Sequence, residues 1–127
     1  MSQIVLDAGA LIALERNDRT LWAALRIAAA TRSHVTVPSA ALAQIWRGTT
    51  RQALLAKALH HCVIASFDAL ARRVGELCGK TKTTDICDAQ VAIVAASQGD
   101  VLYTSDPKDM RRLIAALGAK RPVIVRC

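Results

Sequence analysis

Five short apolar, β-branched runs recur along the chain, each separated from the next by a stretch patterned for helix, and this alternation narrows the fold more than any other feature. The runs are Gln3–Leu6, His34–Val37, Cys62–Ala65, Val101–Thr104 and Val123–Val125. Unbroken apolar runs of this length suit strands buried on both faces, because successive side chains point to opposite sides of a sheet. Helices between such strands return the chain to the same edge and so make the sheet parallel. The expectation is an α/β fold, with a central parallel sheet of about five strands flanked by helices. The 127 residues suit one core, and no repeat, low-complexity tract or linker divides them, so a single domain over residues 1–127 is expected.

Capping residues suggest where the helices begin. Ser39 is expected to cap a helix through Arg47 that Gly48 stops, and Ser66 one running to about Cys78. Thr84 or Asp85 opens a helix ending before Gly99, and Asp109 a last one through Leu117 that Gly118 ends. Helical stretches within Ala10–Glu15, Asp18–Thr31 and about Thr50–His60 fill the other connections.

Charge and composition limit the classes of function. Lys and Arg number 17 against 10 Asp and Glu, and twelve of the 17 are arginine, a balance that favours polyanionic partners. Trp22, Trp46, Phe67 and Tyr103 are too few for an extended base-stacking platform, so contact with a nucleic-acid backbone is the better expectation. The four cysteines form no CxxC pair and no zinc-finger spacing, which points to buried, reduced thiols. No apolar stretch reaches the ~20 residues of a membrane span, and the first ten residues lack a signal pattern. A cytoplasmic protein is expected.

In a basic chain, the placement of the acids is the most informative detail. Asp7 follows the first strand and Asp106 follows the fourth after one serine, which places both at the carboxyl edge of a parallel sheet, where ligands bind. Asp85 and Asp88 stand three apart at a helix start, and Asp106 and Asp109 repeat the spacing. Clustered carboxylates repel unless a cation neutralises them, and hard oxygen ligands select Mg²⁺ or Mn²⁺. Helix capping explains Asp85 and Asp106 equally well when each is taken alone, with Pro107 at the first helical position after Asp106. Asp7 and Asp88 have no such ready explanation, and the joint pattern favours a site.

The segments IVLDAGALIAL (Ile4–Leu14), VPSAALAQIWRG (Val37–Gly48), TDICDAQVA (Thr84–Ala92) and VLYTSDPKDM (Val101–Met110) resemble those of PIN-domain ribonucleases, specifically VapC-type toxins of type II toxin–antitoxin systems. The resemblance implies that Asp7, Asp88 and Asp106 bind a catalytic Mg²⁺ or Mn²⁺, with Asp85 and Asp109 as auxiliary acids. It further implies a homodimer, a cognate VapB-type antitoxin, and endonucleolytic cleavage of RNA of the transfer or ribosomal class. Where the family usually carries a glutamate on the helix after the second strand, this chain has Gln44, which keeps a carbonyl oxygen and loses a charge. Gln44 is expected to face the acidic groove, sharing a helix face with Ala40, Ala41 and Arg47. Arg47, Arg51, Arg111 and Arg112, with Arg72 and Arg73, are candidates for the RNA backbone, because a carboxylate site repels its own substrate. Thr104 and Ser105, beside Asp106, are expected to serve as local turn partners, the alternative being to hydrogen-bond a phosphate or fix the carboxylate.

Two other classes bear on these residues. A catalytically degenerate PIN domain that binds RNA or an antitoxin is the alternative that Gln44 motivates. A receiver-type signalling domain needs an aspartate ending the third strand and a lysine ending the fifth, and Ser66 and Arg126 stand there instead.

Overall fold

The computed structural model describes residues 2–118 and 122–127. The expected strands form with shifts of one residue at three ends: β1 (Gln3–Leu6), β2 (His34–Pro38), β3 (Val63–Ala65), β4 (Val101–Thr104) and β5 (Val123–Arg126). Helices α1 (Ala8–Glu15) and α2 (Arg19–Ala30) lie between β1 and β2. Helices α3 (Ser39–Ile45) and α4 (Ala53–Leu59) precede β3, α5 (Ala71–Thr81) and α6 (Ile86–Gln98) precede β4, and α7 (Pro107–Ala116) precedes β5. Short 3₁₀ turns at Thr50–Gln52 and Asp68–Leu70 lead into α4 and α5.

The five strands make one parallel sheet in the order β3-β2-β1-β4-β5. From β1 the chain winds outward to β3, then crosses back and continues through β4 to β5. The reversal falls between β1 and β4. This order differs from the 2-1-3-4-5 arrangement of receiver domains, which removes that alternative on topology as well as on residues.

Consecutive residues Ile4, Val5 and Leu6 in β1 and Val35, Thr36 and Val37 in β2 are all buried, so helices cover both faces of the central strands. One group of helices packs α1 against α2, α3 and α4, and a second packs α6 against α3, α5 and α7. Helix α6 carries seven buried residues in succession, Ala89–Ala95, and lies against β1 and β2.

The starts or caps of α3, α5 and α7 differ from those expected. Helix α3 begins at Ser39 with Pro38 in the capping position and no side-chain cap of its own. The Ala40 amide is instead taken by Oε1 of Gln90, from α6, at 2.9 Å. Helix α7 begins at Pro107, two residues before Asp109, because Asp106 caps it with Pro107 at the first position. Ser66 accepts only a turn bond from the Asp68 amide, and α5 starts at Ala71. Helix α3 also stops at Ile45 rather than Arg47. The buried Gln52 side chain takes the amides of Arg47 and Gly48 on Oε1 and donates from Nε2 to the Ile45 carbonyl and to Glu15, which turns the chain away from the helix axis.

Candidate functional site

The crevice at the carboxyl ends of β1 and β4 is built by backbone needs before any chemistry enters. Four amides at every helix start lack an internal partner, and a short acidic side chain just before the helix satisfies one of them. Asp7 caps α1 by accepting from the Ala10 amide at 2.8 Å, Asp85 caps α6 through Asp88 at 2.9 Å, and Asp106 caps α7 through Asp109 at 3.2 Å. The cap on α1 corrects the sequence reading of Asp7 as an acid without a capping role. That role was hidden because α1 starts at Ala8, two residues earlier than the periodicity indicated.

Asp7 is the most enclosed of these acids, at 4% exposure. Burial raises its carboxyl above the usual 3.8, opposed by hydrogen bonds from the Thr104 hydroxyl and from the Ala10, Ser105 and Gly9 backbone. The Asp7 amide donates to the Tyr103 carbonyl at 3.2 Å, which pins the end of β1 to β4. Fully buried Thr104 also accepts from the Asp106 amide at 2.9 Å, so one hydroxyl links Asp7 to the loop that carries Asp106. Thr104 is thus more than the local turn partner expected of it.

Gly9 makes this approach feasible. A Cβ there would collide with the Ser105 side chain and come within 3.1 Å of its amide nitrogen. The absence of a side chain brings the β4–α7 loop against the first turn of α1.

Asp88 is half-buried on the first turn of α6. Desolvation, followed by the charge and hydrogen bonding of Asp85 and the charges of Asp109 and Asp7, pushes its carboxyl up to about 7. Four of the five expected acids therefore share one electrostatic field. Asp106, exposed, joins them through Thr104 and the Asp109 amide. Among the described residues, no three His, Cys, Asp or Glu side chains stand at the spacing of a single ion's ligand shell. The carboxylates share a field without forming a coordination sphere. As a donor set they suit a hard divalent cation, and the mutual repulsion that raises Asp88 is what such an ion would relieve.

The remaining candidates are placed differently. Gln44 is exposed and lines an open groove with Ile12, Glu15, Arg16, Arg47 and Arg51, whereas Ala41, expected on its face, is fully buried. None of the five aspartates lines that groove. Arg47 donates to the Ala43 and Trp46 carbonyls at the end of α3. Arg112 is engaged with Asp109, from Nε at 3.1 Å and Nη2 at 2.9 Å, both to Oδ1. Arg51 and Arg111 are exposed. The cysteines are free; Cys62, Cys78 and Cys87 are half-buried, while Cys127 is exposed against the expectation of burial. Partial desolvation pushes the Cys62 and Cys127 thiols up to about 11.

Sequence reasoning missed Gln90 and Gln52, the two buried amides that hold α3. Gln90 was visible only as a polar interruption of an apolar helix, and that interruption is the signal that identifies a satisfied core amide.

The chain is a parallel α/β domain with a cluster of acids at the topological switch point of its sheet. No protein-family model matches the chain, and no curated protein matches its sequence. Among solved structures, the chain is similar to one in the crystal structure of VapBC2 from Rickettsia felis bound to a DNA fragment from their promoter. The TM-score is 0.71, with 16% identity and 98% of each chain covered. The likeness is one of fold, and it extends over the whole architecture expected from the sequence. No described helix is long and apolar enough to cross a membrane.

Proposed function

We propose that the chain is a VapC-like toxin, a divalent-metal-dependent endoribonuclease held in check by a VapB-type antitoxin. The observation that carries this reading is the shared field of Asp7, Asp85, Asp88 and Asp109 at the crevice between β1 and β4. Structural capping alone explains Asp7, Asp85 and Asp106, but it gives no reason for Asp88, a fourth acid whose carboxyl is driven to about 7 by burial and its neighbours.

In this reading Asp7, Asp88 and Asp106 hold Mg²⁺ or Mn²⁺, with Asp85 and Asp109 as auxiliary acids. When bound, such an ion supplies an activated water and neutralises the charge that develops on the scissile phosphate. The protein's own part is positional. Thr104 and the α1 cap fix the Asp7 carboxylate, Gly9 admits the Asp106 loop, and Gln90 seats α6 and with it Asp88. The net charge of +7 offsets the repulsion between an acidic crevice and an RNA backbone, with Arg51 and Arg111 among the exposed arginines open to phosphate. The Rickettsia felis neighbour is a VapBC complex, which supports an antitoxin as partner; a homodimer and RNA of the transfer or ribosomal class follow from the resemblance.

A catalytically degenerate binding module is the second reading, favoured by Gln44 and by the open spacing of the carboxylates. Sequencing RNA 5′ ends after brief induced expression separates the two. The toxin reading expects new ends at a few defined sites that are absent on expression of Asp7→Asn; identical end profiles from both proteins would reject it.

A further inference from the structure

Arg112 stands out among the cations. Among the described residues its contact with Asp109 is the only ion pair, and the same guanidinium donates from Nη1 to the Thr81 carbonyl at 3.1 Å. Arg112 therefore joins α7 to the last residue of α5 while placing two charge-assisted hydrogen bonds on one carboxylate oxygen, Oδ1 of Asp109. Asp109 is also one of the acids whose charge reaches Asp88. A cation is thus already built into the edge of the acidic crevice, held by a backbone carbonyl as well as by the acid.

We propose that Arg112 is a positioning residue that competes with the divalent ion for Asp109, so that it limits how many carboxylates the ion recruits and how tightly it binds. The proposal rests on the metal-binding reading above. An ion that used Oδ1 would have to displace both guanidinium bonds, whereas Oδ2 carries neither of them. The bond to the Thr81 carbonyl holds the guanidinium by a contact that does not involve Asp109. The pair is half exposed, so the effect on affinity is graded: a change of roughly two- to fivefold fits an ion pair in this setting.

Titration calorimetry with Mn²⁺ tests this on the wild-type chain, Arg112→Ala, Arg112→Gln and Arg111→Ala, and on Arg112→Ala in an Asp109→Asn background. Arg111→Ala removes the same charge one residue away and reports the general electrostatic effect. Arg112→Gln keeps a donor for the Thr81 carbonyl and separates the tether from the charge. Both Arg112 variants are expected to bind Mn²⁺ roughly two- to fivefold more tightly than wild type and more tightly than Arg111→Ala. In the Asp109→Asn background, Arg112→Ala should change nothing. Equal or weaker binding by the Arg112 variants, the same gain in Arg111→Ala, or a gain that persists without the Asp109 carboxylate would each overturn the proposal. A wild-type chain that takes up no Mn²⁺ would overturn the metal-binding reading as well, whereas wild-type binding that Arg112 does not affect would overturn the proposal alone.

Discussion

Replacing Gln90 by methionine should destabilise the protein more than any exposed substitution, although it removes no charge and keeps the length of the side chain. Gln90 is fully buried on α6, where Oε1 accepts from the Ala40 amide at 2.9 Å and Nε2 donates to the Ala65 carbonyl at 3.1 Å and toward Ser39 Oγ at 3.5 Å. One carboxamide therefore caps α3 from another helix and anchors the end of β3. Methionine leaves the Ala40 amide and the Ala65 carbonyl without these partners, and each orphaned buried group costs about 1–3 kcal/mol. Better transfer of the apolar side chain offsets about 1 kcal/mol of that. The net expectation is a loss of about 1–5 kcal/mol, whose middle corresponds to roughly 10 °C in Tm for a domain of this size. Urea titration followed by far-UV circular dichroism in chelator measures it, with an unchanged m-value as the check that the folded state is otherwise intact. A loss below about 0.5 kcal/mol would refute the role given to Gln90, since it would mean that water or a relaxed backbone satisfies both groups without the side chain.

Other expectations concern the acids and Gly9. Asp88 holds its proton up to about pH 7 in the folded chain but loses it near 3.8 when unfolded, so its contribution is fully present below about pH 4 and is lost as pH rises through about 7. Melts in chelator should show that slope in wild type and a shallower one in Asp88→Asn; parallel profiles would contradict the raised carboxyl. Asp7→Asn keeps an acceptor for the Ala10 amide and should stay within about 1 kcal/mol of wild type, whereas Asp7→Ala should lose about 1–2 kcal/mol with the cap. Thermal melts that rank the two in the opposite order would show that charge, not capping, sets the stability at this position. Gly9→Ala should push Ser105 and the Asp106 loop away from α1, lowering both Tm and Mn²⁺ affinity; a variant unchanged in both would disprove the close approach.

The strands were legible because the sheet is parallel and covered on both faces, which leaves short apolar runs such as Gln3–Leu6 and Val101–Thr104 with little else to be. The acids were legible for a related reason, since Asp7 and Asp106 follow those runs directly and the carboxyl edge of the sheet collects them. What the sequence hid depends on partners distant along the chain. Ser39 reads as a cap until Gln90, 51 residues later, takes the Ala40 amide. Helix α3 reads through to Arg47 until Gln52 folds back onto Ile45, Arg47 and Gly48. Gln44 is the instructive case at the site. Helical periodicity placed it beside Ala41, and the two are indeed only about 60° apart around the helix, but the edge of the buried stripe passes between them, so Ala41 is buried and Gln44 exposed.

Cleavage of purified RNA by the purified chain tests the central claim most directly. Wild type should cut with Mg²⁺ or Mn²⁺ and stop when chelator is added. Asp7→Asn, Asp88→Asn and Asp106→Asn, each confirmed folded by its melt, should lose at least a hundredfold in rate, as expected when a charged ligand is removed from a metal site. Metal-independent cutting, or wild-type rates from all three variants, would contradict the account.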